Sequence, residues 1–153
     1  MIWEMLYQSL WVPQGEPPIP REILNDSRLS LYAKGWGREG DLAVIAENAD
    51  AGALGAAWCR RFTQDAPGYG FVSEDIPELG LAVMPEARGR GIGTALLGGL
   101  IELVRGVRPR MAPARKVLSL SVMRGNPVIR LYQRKGFRMI SETDIALKML
   151  LEL

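Results

Sequence analysis

The sequence contains no histidine and only one cysteine. The first absence excludes a Ser-His-Asp triad, a Cys-His pair and any zinc site built on imidazole, so acid and base roles fall to Asp, Glu, Tyr, Lys or Cys. The second excludes a disulfide framework within the chain, and Cys59 is expected to be a small core residue in a reducing compartment. A membrane-length apolar run is also missing. Residues 1–10 carry Glu4 and no cation, unlike the basic start of a signal peptide. The expectation is a soluble cytoplasmic protein with no membrane partner.

With 153 residues, 48% hydrophobic and 24% charged, the chain suits one domain spanning residues 1–153. Net charge is only +2, but residues 1–86 hold 6 basic and 13 acidic side chains while residues 87–153 hold 13 basic and 4 acidic. The basic half suggests an anionic partner; an ordinary solvated arginine-rich surface would read the same. No nucleic-acid recognition motif accompanies the charge, so no nucleic-acid partner is expected.

Residues 2–10 form a short apolar helix, which the proline-rich segment 12–20 cannot continue. A second helical stretch is expected over 21–32. Residues 42–46 and 54–62 read as a hairpin, and 63–77 as a long loop whose tip, Tyr69-Gly-Phe71, is placed to line a pocket or to pack on the surface. Residues 79–84 form a strand ending at Pro85. After it, Ile92, Ala95, Leu96, Gly99, Leu100 and Leu103 fall on one helical stripe that ends in a glycine cap at Gly106. The pair Gly98-Gly99 weakens that helix or permits close packing. Residues 116–123 form the next strand, and Asn126-Pro127 starts a helix that runs to Lys135 and stops at Gly136. Two strands, 137–140 and 145–151, complete the chain.

The informative unit is strand, Pro85, Arg88-Gly89-Arg90-Gly91-Ile92-Gly93-Thr94, helix. A helix N-terminus presents unpaired N–H groups at its positive end, glycines let an anion approach the backbone, and Arg88 and Arg90 add charge. Glycines that merely allow tight helix-to-sheet packing are the alternative. Other phosphate loops fit worse: no Lys follows the last glycine, as a P-loop requires, and Thr94 and Leu96 break a dinucleotide fingerprint.

In these residues the chain resembles the GNAT superfamily of N-acetyltransferases, whose acyl-CoA signature [RQ]-x-x-G-x-[GA] is matched by Arg88, Gly91 and Gly93. A second hallmark of that family, an Asn-led helix reaching Leu-Tyr and then Gly-Phe, is matched from Asn126 through Tyr132 to Gly136-Phe137. Val128 departs from the usual Ala, and the family's first strand has no counterpart ahead of the first helix. The resemblance covers residues 41–153 and is loose over 1–40.

It implies an α/β (α+β) fold: a central mixed, mostly antiparallel sheet of about six or seven strands, a parallel splayed pair in its middle, and about four flanking helices. Residues 1–40 would form a helical acceptor-side segment and 41–153 the acyl-CoA-binding core. The implied activity is transfer of an acetyl group from acetyl-CoA to a primary amine in a ternary complex, with no metal; a non-catalytic acyl-CoA-binding module is the alternative. Pantetheine would insert between the parted strands and pair with backbone around Leu81, Ala82 and Val83, near Asn126. Residues 88–94 would hold the pyrophosphate.

Tyr132 would serve as general acid, unless it only packs its helix. Glu78, sharing a strand face with Gly80 and Ala82, would take the amine proton directly or through water; a solvent-facing glutamate and a base in bulk water are the other readings. Arg115, Lys116, Arg124, Arg130 and Arg134 are candidates for the 3′-phosphate or a solvated face. The segments 11–36 and 63–77 would shape the acceptor pocket. Their Asp26, Asp65, Glu74, Asp75, Tyr69 and Phe71 suit a cationic amine, either a small molecule or a peptide N-terminus. Homodimers are common in the family.

Overall fold

The computed structural model describes residues 1–107 and 116–153. Three α-helices and six strands are present among them: α1 (Ile2–Ser9), β1 (Leu42–Asn48), β2 (Gly52–Arg60), β3 (Glu78–Val83), α2 (Ile92–Gly106), β4 (Val117–Met123), α3 (Ile129–Arg134), β5 (Arg138–Glu142) and β6 (Ala146–Glu152). The strands form one sheet in the order β1-β2-β3-β4-β6-β5. Every neighbouring pair is antiparallel except β3 and β4, which run parallel. This is the mixed sheet that the resemblance implies, with three α-helices where about four are expected.

The difference lies in residues 21–32, which form two 3₁₀ turns, Arg21–Asn25 and Leu29–Tyr32. Asp26 separates them: its Oδ1 accepts the N–H groups of Arg28 and Leu29 at 3.0 and 2.8 Å, a local bond that competes with helix continuation.

Alternation along the strands sorts side chains onto two faces. Leu79, Leu81, Leu118, Leu120, Val122, Met149 and Leu151 face α2 and α3 in the larger core. Ala56, Trp58 and Ala82 face α1 and the 3₁₀ turns, with Met5, Leu6, Tyr32 and Phe62. Cys59 is fully buried in the first core, and desolvation pushes its thiol up to about 12.

Helix α2 is rotated from its expected setting. Its buried residues are Leu96, Leu97, Leu100, Ile101 and Val104, while Leu103 is exposed. The helix is apolar around most of its girth, so periodicity leaves the rotation open by one residue. Packing decides it: Gly99 faces Val44, whose Cγ1 would sit 3.2 Å from an added Cβ. Gly106 is not a glycine cap; it closes the last turn, and extended Val107 donates to the carbonyl of Leu103 at 3.1 Å.

One buried ion pair fixes the segment ahead of β1. The Arg60 guanidinium donates to both carboxylate oxygens of Asp41, at 3.0 and 2.5 Å. It also donates to the carbonyls of Leu31 and Lys34, each at 2.8 Å, and of Gly35 at 3.1 Å. These bonds tie the turn carrying Tyr32 to the end of β2.

Candidate active site

Strands β3 and β4 pair at one position only, Glu78 opposite Ser119, where the Ser119 N–H donates to the Pro77 carbonyl at 3.1 Å. Beyond it they part. The bond from the Met84 N–H to the Leu54 carbonyl fixes the parity of β3. Even-numbered residues direct their backbone groups to β2, and odd-numbered Leu81 and Val83 direct theirs into the gap.

A cavity of about 1200 Å³ occupies this opening and reaches both faces of the sheet. Among the expected residues, Glu78, Leu81, Ala82, Val83, Arg88, Gly93, Asn126 and Tyr132 line it. Gly89, Arg90, Gly91, Ile92 and Thr94 do not; they form the turn and first helical residues at its outer end.

That turn is built for backbone exposure. Gly91 caps α2 in the left-handed region at φ 79°, where a Cβ would be strained, and α2 has no side-chain cap bond. The first intrahelical bond runs from Ala95 to the Gly91 carbonyl, so the amides of residues 92–94 open outward. Arg88, by contrast, folds back. Its Nε donates to the Val83 carbonyl at 2.9 Å, and Nη2 meets the carbonyl and Oε1 of Gln8 at 3.4 Å each. It ties the turn to the end of β3 and to α1.

Tyr132 lies on the α2/α3 face, 6% exposed and edge-on to Phe137 at 5.6 Å between centroids. Burial holds its phenol well above the ordinary value, so it stays protonated near neutrality. Asn126 Oδ1 accepts the Val128 N–H at 3.0 Å and its carbonyl accepts the Ile129 N–H at 3.1 Å. It caps the turn that leads into α3, which begins at Ile129 and not directly after the asparagine.

Glu78 lies on the opposite face and is 2% exposed. Its Oε1 accepts the Tyr32 hydroxyl and, at 2.8 Å, the Gly70 N–H. Tyr32 in turn accepts the Tyr69 N–H at 2.7 Å. Oε2 has no hydrogen-bond partner among the described residues. Burial raises this carboxyl to about 7, against the lowering effect of its bonds to Tyr32 and Gly70 and of Lys148 and Arg28 nearby. The loop can approach this closely only because positions 68 and 70 lack side chains. A Cβ on Gly70 would stand 2.6 Å from the backbone carbon of Leu120, and one on Gly68 would overlap Oε2 itself.

Sequence reasoning therefore missed Tyr32, Gly70 and the indole of Trp58, which lies over Gly80 as a wall of the cavity. The glycines flanking Tyr69 were the available signal. Of the acidic and aromatic loop residues, Asp26 and Tyr69 line the cavity while Asp65, Glu74, Asp75 and Phe71 do not. Arg115 lies outside the described residues. Lys116 bonds the Arg105 carbonyl, and Arg124 bonds Glu142 and the Thr143 carbonyl.

Residues 39–139 match the model of the acetyltransferase (GNAT) domain. No curated protein sequence matches the chain significantly. Among solved structures the chain is similar to a ribosomal-protein-alanine N-acetyltransferase from Brucella melitensis, at 23% identity and TM-score 0.61, covering 99% of this chain and 90% of that one. It is similar to a GCN5-related N-acetyltransferase from Kribbella flavida, at 23% identity and TM-score 0.57, covering 99% and 87%. A candidate acetyltransferase from Salmonella typhimurium, solved with its cofactor acetyl-CoA, aligns at 21% identity and TM-score 0.62 over 99% and 86%. At such identities the likeness speaks for the fold, whereas the domain match covers most of the sequence, including the parted strands, the glycine turn and the Asn126 helix. The chain belongs to the GNAT family of acetyltransferases.

Proposed function

We propose that this protein transfers an acetyl group from acetyl-CoA to a primary amine by direct attack, in the cytoplasm and as one domain. The observation that carries this reading is Glu78: a buried carboxylate with an unpartnered oxygen, set where the two central strands begin to part.

The residues fit the cosubstrate. The outward amides of residues 92–94 suit a pyrophosphate, with Arg90 adding positive charge. The gap beside Leu81 and Val83 suits an extended amide-containing arm, although Arg88 already occupies one side of the Val83 carbonyl. Acetyl-CoA, when bound, supplies the thioester. A backbone N–H in the gap would polarise its carbonyl.

Glu78 takes one proton from the incoming ammonium, and its carboxyl, raised to about 7, is matched to that task near neutral pH. Tyr132, kept protonated by burial, supplies a proton to the departing thiolate from the other face of the sheet, and the second proton shed by the attacking nitrogen restores the phenol. Cys59 sits in the core with its thiol raised and plays no part, which favours direct transfer over an acyl-cysteine route.

The test is release of CoA thiol that depends on an added amine. Tyr132→Phe is expected to slow turnover at least about tenfold with acetyl-CoA affinity unchanged. Acetyl-CoA binding with no thiol release across amines, amino acids, polyamines, aminoglycosides and peptides would instead identify a binding module.

A further inference from the structure

Glu78 is buried beneath several elements, and these are not equally fixed. Its own strand β3 is held in the ladder to β2, and β4 beside it in the ladder to β6. The turn that carries Tyr32 is tied down by Arg60, which donates to the carbonyls of Leu31, Lys34 and Gly35. The remaining cover is the tip of the long loop, residues 68–71. Gly68 lies so close to Oε2 that an added Cβ would stand 2.2 Å from it, and the Gly70 N–H caps Oε1 at 2.8 Å. With the tip down, Glu78 is 2% exposed and an amine has no path to Oε2.

What holds the tip differs in kind from what holds the other covers. Among the described residues, 67–72 make one backbone-to-backbone bond, from the Phe71 N–H to the Gly68 carbonyl at 3.3 Å, and it lies within the tip itself. The bonds that tie the tip's backbone to other segments come from side chains. Arg28 Nη2 donates to the Gly68 carbonyl at 3.2 Å, and Lys148 Nζ donates to the Phe71 carbonyl at 2.7 Å. Between these two cations, Tyr32 accepts the Tyr69 N–H and Glu78 accepts the Gly70 N–H. Apolar burial adds little: Gly68 and Gly70 have no side chains, Tyr69 is 43% exposed, and only Phe71 of the four packs partly against the second core. A segment held by a few side-chain bonds over little apolar surface opens at lower cost than a strand in a ladder.

We propose, resting on the amine-transfer reading above, that residues 68–71 are a gate over Glu78, latched by Arg28 and Lys148, which lifts to admit the amine and otherwise keeps water from the carboxylate. With the gate down, Glu78 cannot activate water against a bound thioester. With the gate up and no amine present, hydrolysis follows. The water oxygen bonds to the thioester carbon, one of its protons passes to Glu78, the C–S bond breaks, and the thiolate takes a proton from Tyr132. Glu78 then sheds its proton to solvent and the phenol regains one, leaving acetic acid and CoA.

The experiment measures thiol release from acetyl-CoA with no amine present, and with amine for comparison, in three variants. Gly68→Ala, whose Cβ overlaps Oε2, props the gate; Lys148→Met removes a latch; Lys148→Arg keeps it. The pH is set well above the value of about 7 that Lys148 helps to hold down in Glu78, so that the carboxylate is ionised throughout. Amine-independent release, relative to amine-dependent release, is expected to rise about tenfold in Gly68→Ala and in Lys148→Met and to stay at the natural level in Lys148→Arg. Lys148→Met serves alone if Gly68→Ala does not fold. A ratio unmoved in Lys148→Met and in any folded Gly68→Ala overturns the gate while leaving amine transfer intact.

Amide hydrogen exchange tests the same gate without turnover. Corrected for intrinsic rates, the Tyr69 and Gly70 N–H groups of the natural protein should exchange at least about tenfold faster than that of Ala82 in the β2–β3 ladder, and about tenfold faster again in Lys148→Met. Exchange as slow as that of Ala82, or a variant that speeds all three alike, removes the gate. If no acceptor releases thiol, the amine-transfer reading falls, and exchange alone decides whether the tip opens.

Discussion

Two buried carboxylates face the α1 side of the sheet and have opposite fates. Asp41 is 4% exposed in its side chain and meets Arg60 through two bonds. Burial pushes its carboxyl up, but Arg60 and the Gly37 and Arg38 amides more than offset this and hold it below its ordinary value. Glu78 is directly across from Arg60 in strand register, yet that guanidinium is committed to Asp41 and three carbonyls, and Glu78 is raised to about 7. On the mechanism proposed above, the difference separates a structural acid from a reactive one. A fully satisfied ion pair fixes a loop, whereas a buried carboxylate with no directly bonded cation keeps a proton within reach of neutral pH.

The comparison breaks most visibly in activity. Glu78→Gln is expected to lower turnover about 10²- to 10⁴-fold with acetyl-CoA affinity unchanged, and to abolish the rise of kcat/KM centred near pH 7. Near-normal turnover in that variant would return Glu78 to a packing role. Arg60→Met, which strands Asp41 in the interior, should cost about 3–5 kcal/mol in urea unfolding. A loss below about 1 kcal/mol would mean that the pair does not hold the loop.

A third measurement separates the two acids by pH. Glu78 binds its proton more tightly folded than unfolded, so its contribution is complete below its ordinary value of 4.5 and is lost as pH rises through about 7. Stability of the natural protein relative to Glu78→Gln should therefore fall by about 3 kcal/mol across that interval. Asp41 acts in the opposite sense: its contribution is present above its ordinary 3.8 and is lost as pH falls. The finest test is Tyr32→Phe. Removing the hydroxyl that stabilises ionised Glu78 should move the midpoint of the kcat/KM profile upward by about one unit, and a downward shift would contradict the bond.

Much of the candidate site was legible because chemistry and local geometry coincide in short motifs. Gly91 needs a left-handed backbone just where α2 begins, and the strand ending at Pro85 leads straight into that turn. Glu78 was a candidate from its strand face together with the family resemblance. Its burial was not legible, since the hydroxyl that contacts it comes from a residue 46 positions earlier. Residues 21–32 carry a helix-like pattern that Asp26 interrupts through two side-chain bonds, and the apolar girth of α2 conceals which stripe is buried.

The sequence by itself determined the order of strands and helices, the glycine-rich opening of α2 and the want of any imidazole, because these depend on residues close along the chain. Only the tertiary structure decided which carboxylate received Arg60, which tyrosine reached Glu78, and which indole was left over Gly80 with its N–H unpaired. Those outcomes depend on competition for partners between distant segments, where a bond made in one place removes it from another, and local pattern holds no record of that competition.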